Sequence, residues 1–102
     1  VSVDREELRA AFDALDAGLD TLLGFDCEAL TTPELLAWLG RVEKVRRRLP
    51  ALEHAVINTL AHQATPEELG GRLSHAIAEA ALITRTDASR RVRAAADLGP
   101  RH

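Results

Sequence analysis

Two apolar stripes of one period constrain this chain more than any other feature in it. Leu35, Trp38, Val42, Val45, Leu49, Leu52 and Val56 recur at alternating steps of three and four, a heptad spacing that an α-helix turns into a single face. Leu8, Phe12, Leu15, Leu19 and Leu22 do the same upstream. Two seams of equal period predict an antiparallel helical hairpin. Nothing alternates with period two over a useful length, so the expected fold class is all-α.

Cap signals set the expected boundaries. The first helix runs from about Asp4 to Leu23, with Asp4, Glu6 and Glu7 in the turn where the helix dipole favours negative charge, and Gly24 ends it. After a connection at 25–31, Thr32 is read as the cap of the second helix and Pro33 as its first residue, and the helix should reach about Gln63. Pro50 lies inside it. Because the heptad phase continues from Leu49 to Leu52 and Val56, a kink near Arg46–Leu49 is expected, with a full break into two helices as the alternative.

Thr65-Pro66-Glu67 repeats the start signal for a short helix, which Gly70-Gly71 stops or bends. A helix from about Arg72 to Ala81 should bury Leu73, Ile77 and Ala80. Thr84 and Asp87 then form a capping box that opens a last helix, ended near Leu98 by Gly99-Pro100. The expected architecture is an antiparallel long-helix hairpin (1–63) followed by a short helix and a helix-turn-helix-like pair (64–102), within one domain of 102 residues.

The helix-turn-helix reading rests on particular residues. Ala78 is small enough for close helix approach, Ile83 plugs the turn, Thr84 caps the second helix, and Ala88 and Val92 pack inward. Thr86, Ser89, Arg90 and Arg93 then share the outward face with Arg85 at its entrance, side chains suited to phosphates and base edges. Leu82 departs from the motif, which usually places glycine there to accept a left-handed backbone, so a shorter or differently shaped turn is expected. The competing reading is that Arg85, Arg90, Arg91 and Arg93 form an ordinary solvated face.

Charge is unevenly divided. The net charge is −3, yet residues 1–40 hold nine acids and two bases while residues 41–102 hold eleven bases and seven acids, so an anion-binding surface belongs in the second half. Arg41, Lys44, Arg46, Arg47 and Arg48 cluster on the long helix. Glu43 is spaced to pair with Arg47, and Arg41 and Arg48 flank the seam where they can meet Asp13, Asp16 or Asp20 of the first helix.

No catalytic set converges, and the chain is not expected to be an enzyme. His54, Asn58 and His62 spell H–N–H at steps of four, but on one helix the two histidines stand about 12 Å apart along the axis, too far to share a metal ion. They are read as polar residues bordering a helix seam. Gly70-Gly71 lacks the strand and Lys-Ser/Thr of a phosphate loop. No metal site and no cofactor are expected. The lone Cys27 forms no internal disulfide, no apolar run approaches a membrane span, and the start of the chain lacks a signal peptide's pattern, so a cytoplasmic location is expected with no membrane partner.

Four stretches carry a family resemblance: residues 30–36 (Leu-Thr-Thr-Pro-Glu-Leu-Leu), residues 53–58 (Glu-His-Ala-Val-Ile-Asn), residues 67–71 (Glu-Glu-Leu-Gly-Gly) and, above all, Ile83-Thr84 through Asp87-Ala88-Ser89-Arg90-Arg91-Val92 to Asp97-Leu98-Gly99. The chain resembles the opening of mycobacterial and actinobacterial 13E12 repeat proteins, also catalogued as domain of unknown function 222. Many members carry an HNH endonuclease module near their C-terminus, and that module is absent from these residues. The resemblance implies the N-terminal portion of a longer, mobile-element-associated protein whose helical region positions DNA or a partner for a nuclease. Two functions are therefore expected as rivals: a DNA-binding accessory domain that presents Arg85, Thr86, Ser89, Arg90 and Arg93 to double-stranded DNA, or a helical interaction module that forms a homodimer through the long-helix seam.

Overall fold

The computed structural model describes residues 4–99 and is helical almost throughout, with no strand among the described residues. The order is α1 (Arg5–Leu23), a 3₁₀ turn (Cys27–Ala29), α2 (Thr32–Gln63), α3 (Pro66–Leu69), α4 (Leu73–Ala81) and α5 (Arg85–Leu98). The chain divides into two compact units, Val1–Leu39 and Gly40–His102. No helix among the described residues is long and apolar enough to cross a membrane.

Local chemistry explains the boundaries. The Asp4 carboxylate accepts from the backbone N–H groups of Glu6 and Glu7, and Gly24 closes α1. The connection expected at 25–31 contains a turn of 3₁₀ helix, capped by Asp26 accepting from the Glu28 N–H. The cap of α2 is one residue earlier than Thr32. Thr31 Oγ1 accepts from the Glu34 N–H at 3.3 Å while Glu34 Oε1 accepts from the Thr31 N–H at 2.9 Å, a reciprocal capping box that the Thr-Thr pair disguises. Those hydrogen bonds, the backbone one foremost, hold the Glu34 carboxyl below its ordinary pKa.

α2 continues through Pro50 as one 32-residue helix, so the break considered above does not occur. The missing proline N–H removes only the helical bond to the Arg46 carbonyl. At about 1.5 Å per residue α2 spans roughly 48 Å. Glu43 pairs with both Arg46 and Arg47, at 3.4 and 3.7 Å.

All twelve side chains named above on α1 and α2 are 37–65 % exposed, and the one buried residue of α2 is Ile57. Packing is concentrated instead in the second unit, around Ile57, Ala78, Ala88 and Ala95, where α4 packs on α5 and α3 on α4. The face of α2 in this unit follows Ile57 and Leu60 and continues to Ala64 just past the helix, beside the heptad stripe whose Val56 is exposed.

α3 carries a complete capping box between Thr65 and Glu68 and ends at Gly70 in the left-handed conformation (φ +71°). On α4, Leu73 and Ile77 are half-buried as expected, but Ala80 is exposed and Ala78 is the residue sealed against its neighbours. Ala78 and Ala88 have methyl side chains, which lets the α4 and α5 backbones approach closely.

Candidate functional site

The turn between α4 and α5 is three residues long, Leu82-Ile83-Thr84. Leu82 takes the left-handed conformation (φ 57°, ψ 44°) that the sequence reading reserved for glycine. It is 92 % exposed, so its side chain meets nothing, and the turn keeps its shape at the conformational cost of one strained residue. Two bonds compensate: the N–H groups of Leu82 and Ile83 both donate to the Ala78 carbonyl, the latter at 3.0 Å, satisfying an end of α4 in the manner of a Schellman motif. Thr84 Oγ1 accepts from the Asp87 N–H at 3.0 Å and caps α5.

The expected reciprocal half of that capping box is replaced by ion pairing. The Asp87 carboxylate accepts from Arg90 through one oxygen and from Arg91 through the other, at 2.9 Å for the Arg91 Nη2 contact. Arg91 in turn reaches Glu53 of α2 at 2.8 Å. The Arg90 hydrogen bond foremost, then Arg91, hold the Asp87 carboxyl below its usual range, and Glu53 foremost holds the Arg91 guanidinium protonated. Arg91 therefore ties α5 to α2.

Of the five residues proposed to contact DNA, Arg85, Thr86, Arg90 and Arg93 are exposed and Ser89 is half-buried. Thr86, Arg90 and Arg93 fall on the side of α5 opposite the buried Ala88 and Ala95, and Ser89 lies at its flank. Among the described residues Arg85 and Arg93 form no ion pair, whereas Arg90 shares the Asp87 carboxylate. Asp97 also lies on the exposed side, further along, so the cationic character is concentrated in the first turns.

The His54–Asn58 pair has a structural assignment. Asn58 Nδ2 donates to the Ala95 carbonyl at 2.7 Å, and the chain at Gly99 is so close that a Cβ there would stand 2.6 Å from the His54 Cβ and 2.8 Å from both Asn58 Nδ2 and the Ala95 oxygen. These residues hold the end of α5 against α2. No group of three or more His, Cys, Asp or Glu among the described residues is placed to hold a metal ion. Sequence reasoning missed Glu53, Asn58 and Gly99 as residues that join α5 to α2; the signal available was the four-residue spacing of Glu53 and Ile57, hidden beside a stronger heptad. Cys27 is a free, exposed thiol.

Comparison with known proteins gives the family. The chain is 56 % identical over 100 residues to the uncharacterized protein Rv1702cMb1728c of Mycobacterium tuberculosis H37Rv, covering 98 % of the chain and 22 % of the relative. It is 57 % identical over 97 residues to the uncharacterized protein Mb1179c of Mycobacterium bovis, covering 95 % of the chain and 21 % of the relative. Against the shorter uncharacterized protein Rv3466 of M. tuberculosis H37Rv it is 55 % identical over 100 residues, covering 98 % of the chain and 45 % of that protein. The chain thus spans about a fifth of the length of the first two and under half of the third. No solved structure matches. The model of the domain of unknown function DUF222 matches residues 36–102, the stretch that holds most of α2, the tight turn and α5, and the chain belongs to that family.

Proposed function

We propose that this chain is a non-catalytic DNA-binding or DNA-positioning domain of a 13E12-type protein, in which α4, the turn and α5 act as a helix-turn-helix and α5 is the helix that meets DNA. The observation that carries the reading is the two-sided character of α5. One side is sealed by Ala88 and Ala95, while the other exposes Thr86, Arg90 and Arg93, with Arg85 exposed at the tight, well-capped helix start. A helix held on one face and cationic on the other suits a groove lined by phosphates. In the longer proteins of this type, the domain would hold DNA for an HNH nuclease module, in the cytoplasm.

The test is fluorescence anisotropy of a labelled duplex titrated with the chain at 50 and 200 mM salt, beside the R90A/R93A variant. Three phosphate contacts give a log–log salt slope of about −2.7, an affinity loss of roughly 40-fold across that range. The variant should retain its circular dichroism and flatten the slope by about 2. Absence of binding at 50 mM by the folded wild type refutes the reading.

A further inference from the structure

A groove of about 400 Å³ runs from the end of α3 along α4 to the first residue of α5, bounded by Leu69 and Ile83 and edged by Arg72, His75, Glu79 and Arg85. We propose that this groove takes a phosphate of the DNA backbone, held by Arg72, His75 and Arg85, and so adds Arg72 and His75 to the residues that meet DNA. The proposal rests on the DNA reading of α5.

Spacing along α4 builds the groove. Arg72 stands immediately before the helix, and Arg72, His75 and Glu79 follow one another at steps of three and four, which sets them along one face over about 10 Å. Arg85, the first residue of α5, edges the same groove from the far side of the turn. Every lining residue belongs to the second unit, so the groove forms without the first.

Charge selects the occupant. Among the described residues of this unit, Arg72, Glu79 and Arg85 form no ion pair. Two guanidiniums therefore face one carboxylate, and the half-buried His75 adds a ring N–H donor. A guanidinium fork matches the oxygens of a phosphate. A charged edge of this kind suits a phosphate and not the apolar seam of an amphipathic helix. Continuity points to DNA as the source of that phosphate: Arg85 edges the groove and also opens the exposed cationic run of α5 that continues through Arg90 and Arg93. An anion in the groove thus lies beside the helix that meets DNA, and a strand carries a phosphate at each nucleotide, about 3.4 Å along the axis.

Fluorescence anisotropy of a labelled duplex at 50 and 200 mM salt tests this with R72A and E79Q, with circular dichroism as the folding control. Both positions are exposed. Arg72 as a fourth phosphate contact steepens the log–log salt slope from about −2.7 to about −3.6, and raises the affinity loss across that range from roughly 40-fold to roughly 150-fold. R72A should return the slope and the loss to the smaller figures. E79Q removes the one opposing charge and should bind the duplex at least about twofold tighter than wild type at 50 mM salt. Wild-type protein that binds the duplex, with R72A keeping the wild-type slope or E79Q binding no tighter, overturns the groove assignment and leaves the DNA reading of α5 standing; that is the result if the groove takes a free phosphate or an acidic protein segment. Folded wild-type protein that binds no duplex at 50 mM salt overturns both.

Discussion

Asn58 offers the sharpest test of how α5 is fixed to α2, through the pair of substitutions N58A and N58D. Its side-chain amide donates to the Ala95 carbonyl at 2.7 Å in a half-buried setting. Removing a hydrogen bond of this kind costs about 0.5–1.5 kcal/mol. For a domain of this size 1 kcal/mol moves the Tm by about 4–8 °C, so N58A should lower it by roughly 2–12 °C. N58D keeps the volume and inverts the polarity: an ionised carboxylate oxygen replaces the donor and faces the carbonyl with no proton between them. A further penalty of about 1–3 kcal/mol follows from a buried polar group set against a like partner. At pH 7, N58D should therefore be less stable than N58A, although it is the more conservative change.

Acid reverses that order, because the facing carbonyl raises the folded-state pKa of an aspartate at 58 above its unfolded value of about 3.9. Below the unfolded value the protonated carboxyl donates to Ala95 and restores the bond. As pH rises through the folded value that stabilisation is lost. The Tm gap between wild type and N58D should be widest at pH 7 and nearly closed at about pH 3.5, read by thermal circular dichroism at each pH. An N58D variant at least as stable as N58A at pH 7, or a gap insensitive to pH, refutes the assigned contact.

Three further outcomes are expected. L82G should raise the Tm by a few degrees, because Leu82 is exposed at φ 57° and relief of about 1–2 kcal/mol of left-handed strain exceeds the roughly 0.4–1 kcal/mol that glycine adds to unfolded-state freedom; a lower Tm contradicts the turn conformation. T31A should cost about 1 kcal/mol in urea unfolding while T32A is near neutral, since Thr31 caps α2; equal effects would return the cap to Thr32. D87N should be destabilised at pH 6, with the gap to wild type closing in acid. The Asp87 carboxyl is held below its ordinary pKa, foremost by Arg90, so its stabilisation is present above the unfolded value of about 3.9 and fades as pH falls through the folded value. A gap that persists at pH 2 would place the effect outside the ion pairs.

Local rules fixed the secondary structure from sequence, because caps, heptads and glycine stops act within a few residues of themselves. The ends of α1 at Leu23, α2 at Gln63 and α5 at Leu98, and the capping of α5 by Thr84, are all readable that way. Where two local signals compete within one residue, as Thr31 and Thr32 do, the pattern alone chose the wrong one. The exposed positions of Thr86, Arg90 and Arg93 likewise follow from helical periodicity around Ala88.

What the periodicity left undecided is which surfaces meet. In the second unit it is the modest stripe around Ile57 that packs, because burial depends on which neighbouring element reaches a face and not on how apolar that face is. Arg91 and Arg93 are adjacent and chemically identical, yet only Arg91 has Glu53 within reach, a contact across 38 residues that no local spacing encodes. Leu82 adopts a glycine's conformation because its neighbours' contacts hold the turn around it. For Arg91 the partner is distant in sequence, and for Leu82 the satisfied end of α4 outweighs a left-handed cost of about 1–2 kcal/mol; only the folded structure shows either.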